Sequence, residues 1–286
     1  MGTTELAGSR RAEARRYLER ALDESQRAVG PVPFELITIR ENLAIVTDDR
    51  SRGDQLLVEA VAEFALRAGD DHPDTLRARA ARGLVTIENL RDADALLTPV
   101  CRAYETWSLP DLIAICWSEV GLVRLDLGER DRALEAMTAT VHAKRDAAEA
   151  AAYATLLTGD ARTAARQFAD AVAAHGPQPD DHWWDRLSRA QLKLGLGRAR
   201  REAGDLRAAR EALEPAVAEL EDIVRGNPQA SYERRLGRAQ AELALTLASL
   251  GAPRELRSAV AQRAVAWLRR VGGTPDEISR VTAARR

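Results

Sequence analysis

A small residue recurs seven places before a glycine break, and an alanine or leucine follows that break four or five places on. Gly121, Gly128 and Ala133 carry this phrase, and Gly197, Gly204 and Ala209 repeat it with the same offsets. Ala152, Gly159 and Ala164 form a further copy, and Ala244, Gly251 and Leu256 a less regular one. A stack of two-helix units leaves such a phrase in sequence. The small residue lets two helices approach, the glycine ends the first helix, and the later alanine is expected to fit against the small residue. The marker glycines Gly128, Gly159, Gly204 and Gly251 are 31, 45 and 47 residues apart, so the units are irregular.

Composition agrees with helices and offers little for a sheet. Hydrophobic residues make up 45% of the 286 and aromatics only 4%. Alanine, leucine, arginine and glutamate dominate, all good helix formers. β-branched runs of period two are missing. Apolar periodicity and turn residues predict helices over 10–30, 34–47, 56–68, 75–88, 93–107, 109–127 and 130–145, then 147–157, 161–174, 181–202, 206–225, 231–250 and 255–271. A short closing helix over 276–283 completes about fourteen. The expected fold is all-α: a right-handed superhelical solenoid of antiparallel helix pairs, each pair too narrow in its apolar stripe to stand alone. A compact all-α bundle is the competing fold, but it would not require the same offsets to return.

The chain divides into a flexible tail over 1–9, repeats over 10–176, and repeats with longer helices over 181–286. The break is Gly176-Pro177-Gln178-Pro179-Asp180, and Pro31 and Pro33 enforce an earlier turn. The net charge of -2 argues against an obligate nucleic-acid binder. That average hides an asymmetry. Through Trp184 there are 22 basic and 31 acidic residues; from Asp185 onward there are 20 and 13. The basic part fits either a solvated helical surface or a face that attracts an acidic partner.

Cys101 and Cys116 lie among apolar residues outside any C-x-x-C pair and are expected as buried free thiols. Glu13, Arg15, Arg16 and Glu19 interrupt any apolar leader segment, and no stretch approaches eighteen uncharged apolar residues. The expected location is the cytoplasm, with no membrane contact.

Trp117, Val120-Gly121, Gly128, Ala133 and Met137 resemble the aromatic, Leu-Gly, Gly, Ala and large-apolar positions of tetratricopeptide repeats. Leu196-Gly197, Gly204, Ala209, Leu213 and Ala216 resemble them again. Arg124 and Arg200 stand where that family usually has tyrosine. The front half resembles the kinesin light chain type of repeat, through Ala28-Val29-Gly30, Asn42-Leu43-Ala44 and His72-Pro73-Asp74-Thr75. The resemblance implies a concave groove, lined by first helices, that binds peptides or partner proteins, in bacteria often within scaffolds, co-regulators or sensors.

Catalytic signals are weak by comparison. His72, His142, His175 and His182 show no metal-ligand spacing, and turn or surface roles are expected for them. No G-x-S-x-G elbow is present. Gly195-Leu196-Gly197-Arg198 lacks the Gly-Lys-Ser/Thr ending of a phosphate loop and reads as helix packing. No catalytic residue, cofactor or metal is predicted. Binding has better material. Arg186, Arg189, Lys193 and Arg200 fall near one side of the 181–202 helix, and Arg234, Arg235 and Arg238 follow on the next first helix. Side by side they would form a basic wall able to hold carboxylate or phosphate. Trp183 and Trp184 are adjacent; one is expected to seal the seam between subdomains and the other to be partly exposed. The expected function is a non-enzymatic scaffold or adaptor whose groove takes a peptide or partner protein, with an acidic segment as the candidate ligand. The alternative is a regulatory sensor that encloses a signal peptide or small molecule in a helical pocket.

Overall fold

The computed structural model describes residues 2–27, 34–144, 147–176 and 183–285. The two-proline turn, Ala28-Val29-Gly30, the Pro177–Asp180 part of the break, and His182 fall outside these residues. Fourteen helices and no strands occur among the described residues. They are α1 (Gly2–Arg27), α2 (Phe34–Val46), α3 (Arg50–Ala68), α4 (Pro73–Val85), α5 (Leu90–Thr106), α6 (Pro110–Asp126) and α7 (Arg130–Ala143). They continue as α8 (Ala148–Leu157), α9 (Ala161–Ala174), α10 (Trp183–Glu202), α11 (Leu206–Gly226), α12 (Ala230–Ser249), α13 (Arg254–Val271) and α14 (Pro275–Ala283). Each helix packs on the next in the chain, as a tetratricopeptide-like superhelix requires. α1 reaches back to Gly2 rather than starting at Arg10, and α3 starts at Arg50, where Asp49 accepts from the Arg52 N–H as an N-cap.

The glycine of the recurring phrase ends the first helix for a definite reason. Gly128 and Gly204 adopt positive φ, and their N–H groups reach the Leu125 and Arg201 carbonyls. The next N–H, of Glu129 or Asp205, reaches back to the Arg124 or Arg200 carbonyl. Gly159 and Gly251 repeat both bonds. This left-handed cap satisfies carbonyls that the helix end would otherwise orphan, and a Cβ would strain it.

The packing partner of the small residue differs from the expected alanine. A Cβ on Gly121 would collide with the Met137 side chain, and one on Gly197 with Leu213. The residue nine places after the marker glycine therefore fills the space, while Ala133 and Ala209 are buried nearby. Gly159 has Phe168 and Gly251 has Val260 at that offset, both buried. Leu256, which appeared to complete the fourth phrase, is 40% exposed. A large apolar side chain needs a groove opposite it, and only glycine or alanine leaves one.

Arg124 and Arg200 also have a common use. The Arg124 guanidinium donates to the Arg132 carbonyl and that of Arg200 to the Ala208 carbonyl, each eight residues on. Both tie a first helix to the opening turn of its second helix. Trp117 is buried in the core, as its repeat position suggests. Trp107 is not an inter-helix packing residue: it caps α5, 48% exposed, and its indole N–H donates to the Asp71 carbonyl at 2.7 Å. His72 caps α4, with its ring accepting from the Asp74 N–H. Trp267 is buried against Gly237.

The cysteines are a disulfide, not free thiols. They sit one helix apart on α5 and α6, with Cα atoms 5.4 Å apart. A separation of 15 residues carries Cys116 around the α5–α6 turn to face Cys101 on the antiparallel neighbour, which a search for C-x-x-C pairs overlooks.

The stack curves until its ends meet. α1 packs on α11 and α4 on α12, far apart in sequence. α12 also packs on α10, α11, α13 and α14. It is buried nearly all round, and its buried residues include Ser231, Arg234, Arg238, Gln240, Glu242 and Thr246. A helix buried on every side is normally apolar throughout. Here charged side chains lie inside the curve of the superhelix, where their partners decide what the centre can do.

Candidate functional site

The arginines that the sequence grouped into one basic wall have partners inside the chain. On α10, Arg186 pairs with Asp222 at 2.5 Å, and Arg189 and Lys193 share Glu219 at 3.2 and 3.0 Å. Both partners lie on α11, the second helix of the same pair. On α12, Arg234 and Arg235 divide the Glu119 carboxylate of α6, at 2.8 and 2.6 Å. Arg234 also donates to the Ile87 and Gly83 carbonyls near the end of α4. Arg238 donates to Asp126 of α6 at 2.6 Å and to both oxygens of Glu277 on α14.

Their electrostatics follow from depth. Burial would raise the Glu119 carboxyl, but Arg235 and Arg234 outweigh it and hold the pKa below the ordinary value. For Asp126 burial wins: the carboxyl is pushed up to about 6 although Arg238 opposes. Burial lowers the Arg238 pKa, yet Asp126 and then Glu277 carry it above the ordinary value.

Between these helices lies a half-enclosed cavity of about 30 Å³. It sits among α6, α8, α10 and α12, all first helices of their pairs. Arg234, Arg235 and Arg238 contribute to its lining with Glu119, Asp126 and Arg198, and Leu122, Val123, Leu125 and Leu194 form apolar wall. Gln191 bridges the wall: with its amide oxygen turned toward Arg235, it accepts from that guanidinium at 2.9 Å. Arg198 pairs with Glu202 at 3.2 Å and lies 3.7 Å from Glu242, which Arg201 holds at 2.7 Å.

Glu149, in the first turn of α8, is the exception in this lattice. Its Oε1 is covered and has no hydrogen-bond partner among the described residues. Burial pushes its carboxyl up to about 7; Arg235 opposes that rise, Glu119 adds to it and His175 opposes it. Sequence reasoning passed over Glu149 because an i,i+4 view of helical carboxylates assigns them to the surface. No signal in the sequence marks it, since Arg145 stands four residues before it, at the spacing of an ordinary surface pair.

Trp183 and Trp184 stack on each other, with ring centroids 4.2 Å apart. They open α10, where the helical 100° offset does not separate side chains that turn back on one another. Trp183 also meets Tyr232, the residue after cavity-lining Ser231, at 5.8 Å. Trp184 is 54% exposed. A seam-sealing ring and an exposed ring were both expected, and their mutual stacking is the added finding.

Among the described residues, no group of three or more His, Cys, Asp or Glu could hold a metal, and no helix is long and apolar enough to cross a membrane.

No protein-family model matches the chain, and no curated protein matches it. Among solved structures it is similar to the nearly identical TPR-like repeats of a Podosopora anserina putative kinesin light chain. That likeness has 18% identity and a TM-score of 0.45, and it covers 65% of this chain and 96% of the other.

Proposed function

We propose that this chain is a non-enzymatic helical-repeat adaptor that binds a peptide or partner protein, and that recognition centres on the cavity between α6, α8, α10 and α12. One observation carries the reading: four first helices converge on a space the chain does not fill, and Glu149, which contributes to its lining, keeps a covered carboxylate oxygen without a donor among the described residues. Buried polar groups are nearly always satisfied, so an orphan at a cavity is a feature to explain.

This favours a half-enclosed site over an open groove, because α12 occupies the inside of the curve. It also weakens the acidic-ligand version. An acidic segment would compete with Glu119, Asp126, Glu219 and Glu277 for arginines they already hold. Arg234, Arg235 and Arg238 then serve as the rigid frame of the site, while Arg186, Arg189, Lys193 and Arg200 brace α10 from outside it. The exposed Trp184, stacked on Trp183 beside Tyr232, offers a flat apolar surface at the same end of α12 as Ser231, suited to the flank of a bound segment.

The test is affinity capture from the native cell with the wild type and a cavity-filled variant, Ser231→Phe, identified by mass spectrometry. Partners present with the wild type and lost from the variant, at matched thermal stability, are expected. An identical set of partners on both would end the cavity reading.

A further inference from the structure

The seam where the front of the stack meets its back is built differently from the rest of the molecule. Among the described residues, the apolar clusters divide there. Those around α1, α2 and α3 draw otherwise only on Ala78, Ala81 and Val85 of α4. The large cluster around α10–α13 takes nothing from α1, α2 or α3.

The bonds that cross the seam are polar. Arg50, at the start of α3, donates to the Glu233 carboxylate of α12 at 2.8 Å and to the Pro228 carbonyl at 3.2 Å. It also pairs with Glu88 in the turn between α4 and α5. Arg270 of α13 contacts the other oxygen of each carboxylate, Glu88 at 3.4 Å and Glu233 at 2.7 Å. Two arginines and two glutamates thus alternate around a closed ring. Glu88 follows Ile87 and precedes Leu90, which both belong to the apolar cluster of the back. Arg50 is therefore the one member of the ring that arrives from the front. Arg11 of α1 makes a second crossing, to the Asn227 side chain at the end of α11. It acts electrostatically on the Tyr232 phenol, so α1 stands over that end of α12. Tyr232 is only 4% exposed, although Trp184, two rings away, is open.

This fastening suits release. The ring side chains keep 17–50% of their exposure, whereas Arg234, Arg235 and Arg238 keep 4–15%. Salt screens exposed pairs and leaves buried ones largely alone. If Arg50 departs, Arg270 still contacts Glu88 and Glu233, so neither carboxylate is stranded. Ala78, Ala81 and Val85 offer α2 and α3 short side chains, a shallow contact over which packed helices can slide. We propose that α1, α2 and α3 form a hinged lid, pivoting on α4 and latched by Arg50 over the N-terminal end of α12, and that its release uncovers Tyr232 beside Trp183 and Trp184. The closed lid withholds one ring of a three-ring surface. The lid stands or falls separately from the cavity reading.

Double electron–electron resonance on the full chain tests this. One pair of spin labels, on Ala62→Cys and Ala266→Cys, spans α3 and α13. A second pair, on Ile115→Cys and Ala266→Cys, spans α6 and α13. All three positions are exposed, and Cys101 and Cys116 stay bonded to each other. Samples at about 0.01 M and about 1 M salt compare screening lengths of ~30 Å and ~3 Å. At high salt the α3–α13 pair is expected to gain a second population, longer by about 10 Å, one helix diameter. The variant Glu88→Gln/Glu233→Gln is expected to show that population already at low salt. The α6–α13 pair is expected to keep one distance throughout. Glutamine preserves the shape of each side chain, and salt acts on the unaltered ring, so a folding defect in the variant cannot produce both results. A single α3–α13 distance under every condition overturns the proposal. Lengthening of both pairs together also overturns it, since the buried pairs of α12 would then be giving way. So does a response to salt without one in the variant, or the reverse.

Discussion

Two rows of cations on neighbouring first helices end in different places. On α10, Arg186, Arg189 and Lys193 find carboxylates 36, 30 and 26 residues away, all on the adjoining α11. On α12, Arg234, Arg235 and Arg238 find Glu119 and Asp126 at separations of 115, 116 and 112 residues. The first row reinforces a single helix pair. The second ties the last third of the chain to its middle and fixes the curve of the stack. Positive charge on a first helix is common to both rows; burial and the distance of the partner along the chain set their roles.

The comparison breaks most directly at Arg238. Arg238→Ala would leave Asp126 and Glu277 buried together without the guanidinium that both contact. Removing one partner of a buried ion pair typically costs about 3–5 kcal/mol. A loss of that order in denaturant unfolding is expected, and it should depend on pH through Asp126. Burial already pushes the Asp126 carboxyl up to about 6, and loss of Arg238 would raise it further, so the variant should recover stability as the pH falls through that raised value. A loss below about 1 kcal/mol would mean that the α12 row does not lock the stack and differs from the α10 row in position only.

The disulfide sharpens the same contrast from the acceptor side. Cys116 shares α6 with Glu119 and Asp126, so the bond to Cys101 fixes the helix that presents acceptors to α12. Replacing both cysteines with alanine opens a 15-residue loop and is expected to cost about 3 kcal/mol. If the α12 lock depends on α6, the cost should shrink when Arg238 is already gone. Persistent disulfides are rare in a reducing cytosol, which sets this bond against the cytoplasmic expectation from sequence. Thiol alkylation before lysis, followed by peptide mass mapping, distinguishes the two: blocked free thiols at both positions would remove the disulfide from the native protein.

The fold was legible because its determinants are local. Fourteen helices were expected and fourteen are described; 161–174 agrees at both ends, and most other boundaries fall within three residues. Glycine caps, apolar periodicity and proline at helix starts act over a few residues, so a single sequence displays them. The packing partner of Gly121 was less legible: the phrase drew attention to Ala133, whereas Met137, one turn farther on, fills the groove. The site was least legible. Spacing put Arg234, Arg235 and Arg238 near one side of a helix, but not inside a closed curve opposite Glu119 and Asp126. No local pattern announces a contact across more than a hundred residues, nor the missing partner of Glu149.

The smallest expected effect gives the finest test of the two rows. Lys193 and Arg189 both contact Glu219, and the Lys193 side chain keeps 22% of its exposure. Lys193→Ala leaves Arg189 to neutralise that carboxylate, so the loss should stay below about 1 kcal/mol. Lys193 and Arg238 share no carboxylate. Their effects in the double variant should therefore add to within about 0.5 kcal/mol. Additivity would support one set of pairs serving a helix hairpin and another serving closure of the superhelix. A larger coupling would make both rows members of one network running through Gln191 and Arg235, and a charge change on the outside of α10 would then be felt at the cavity.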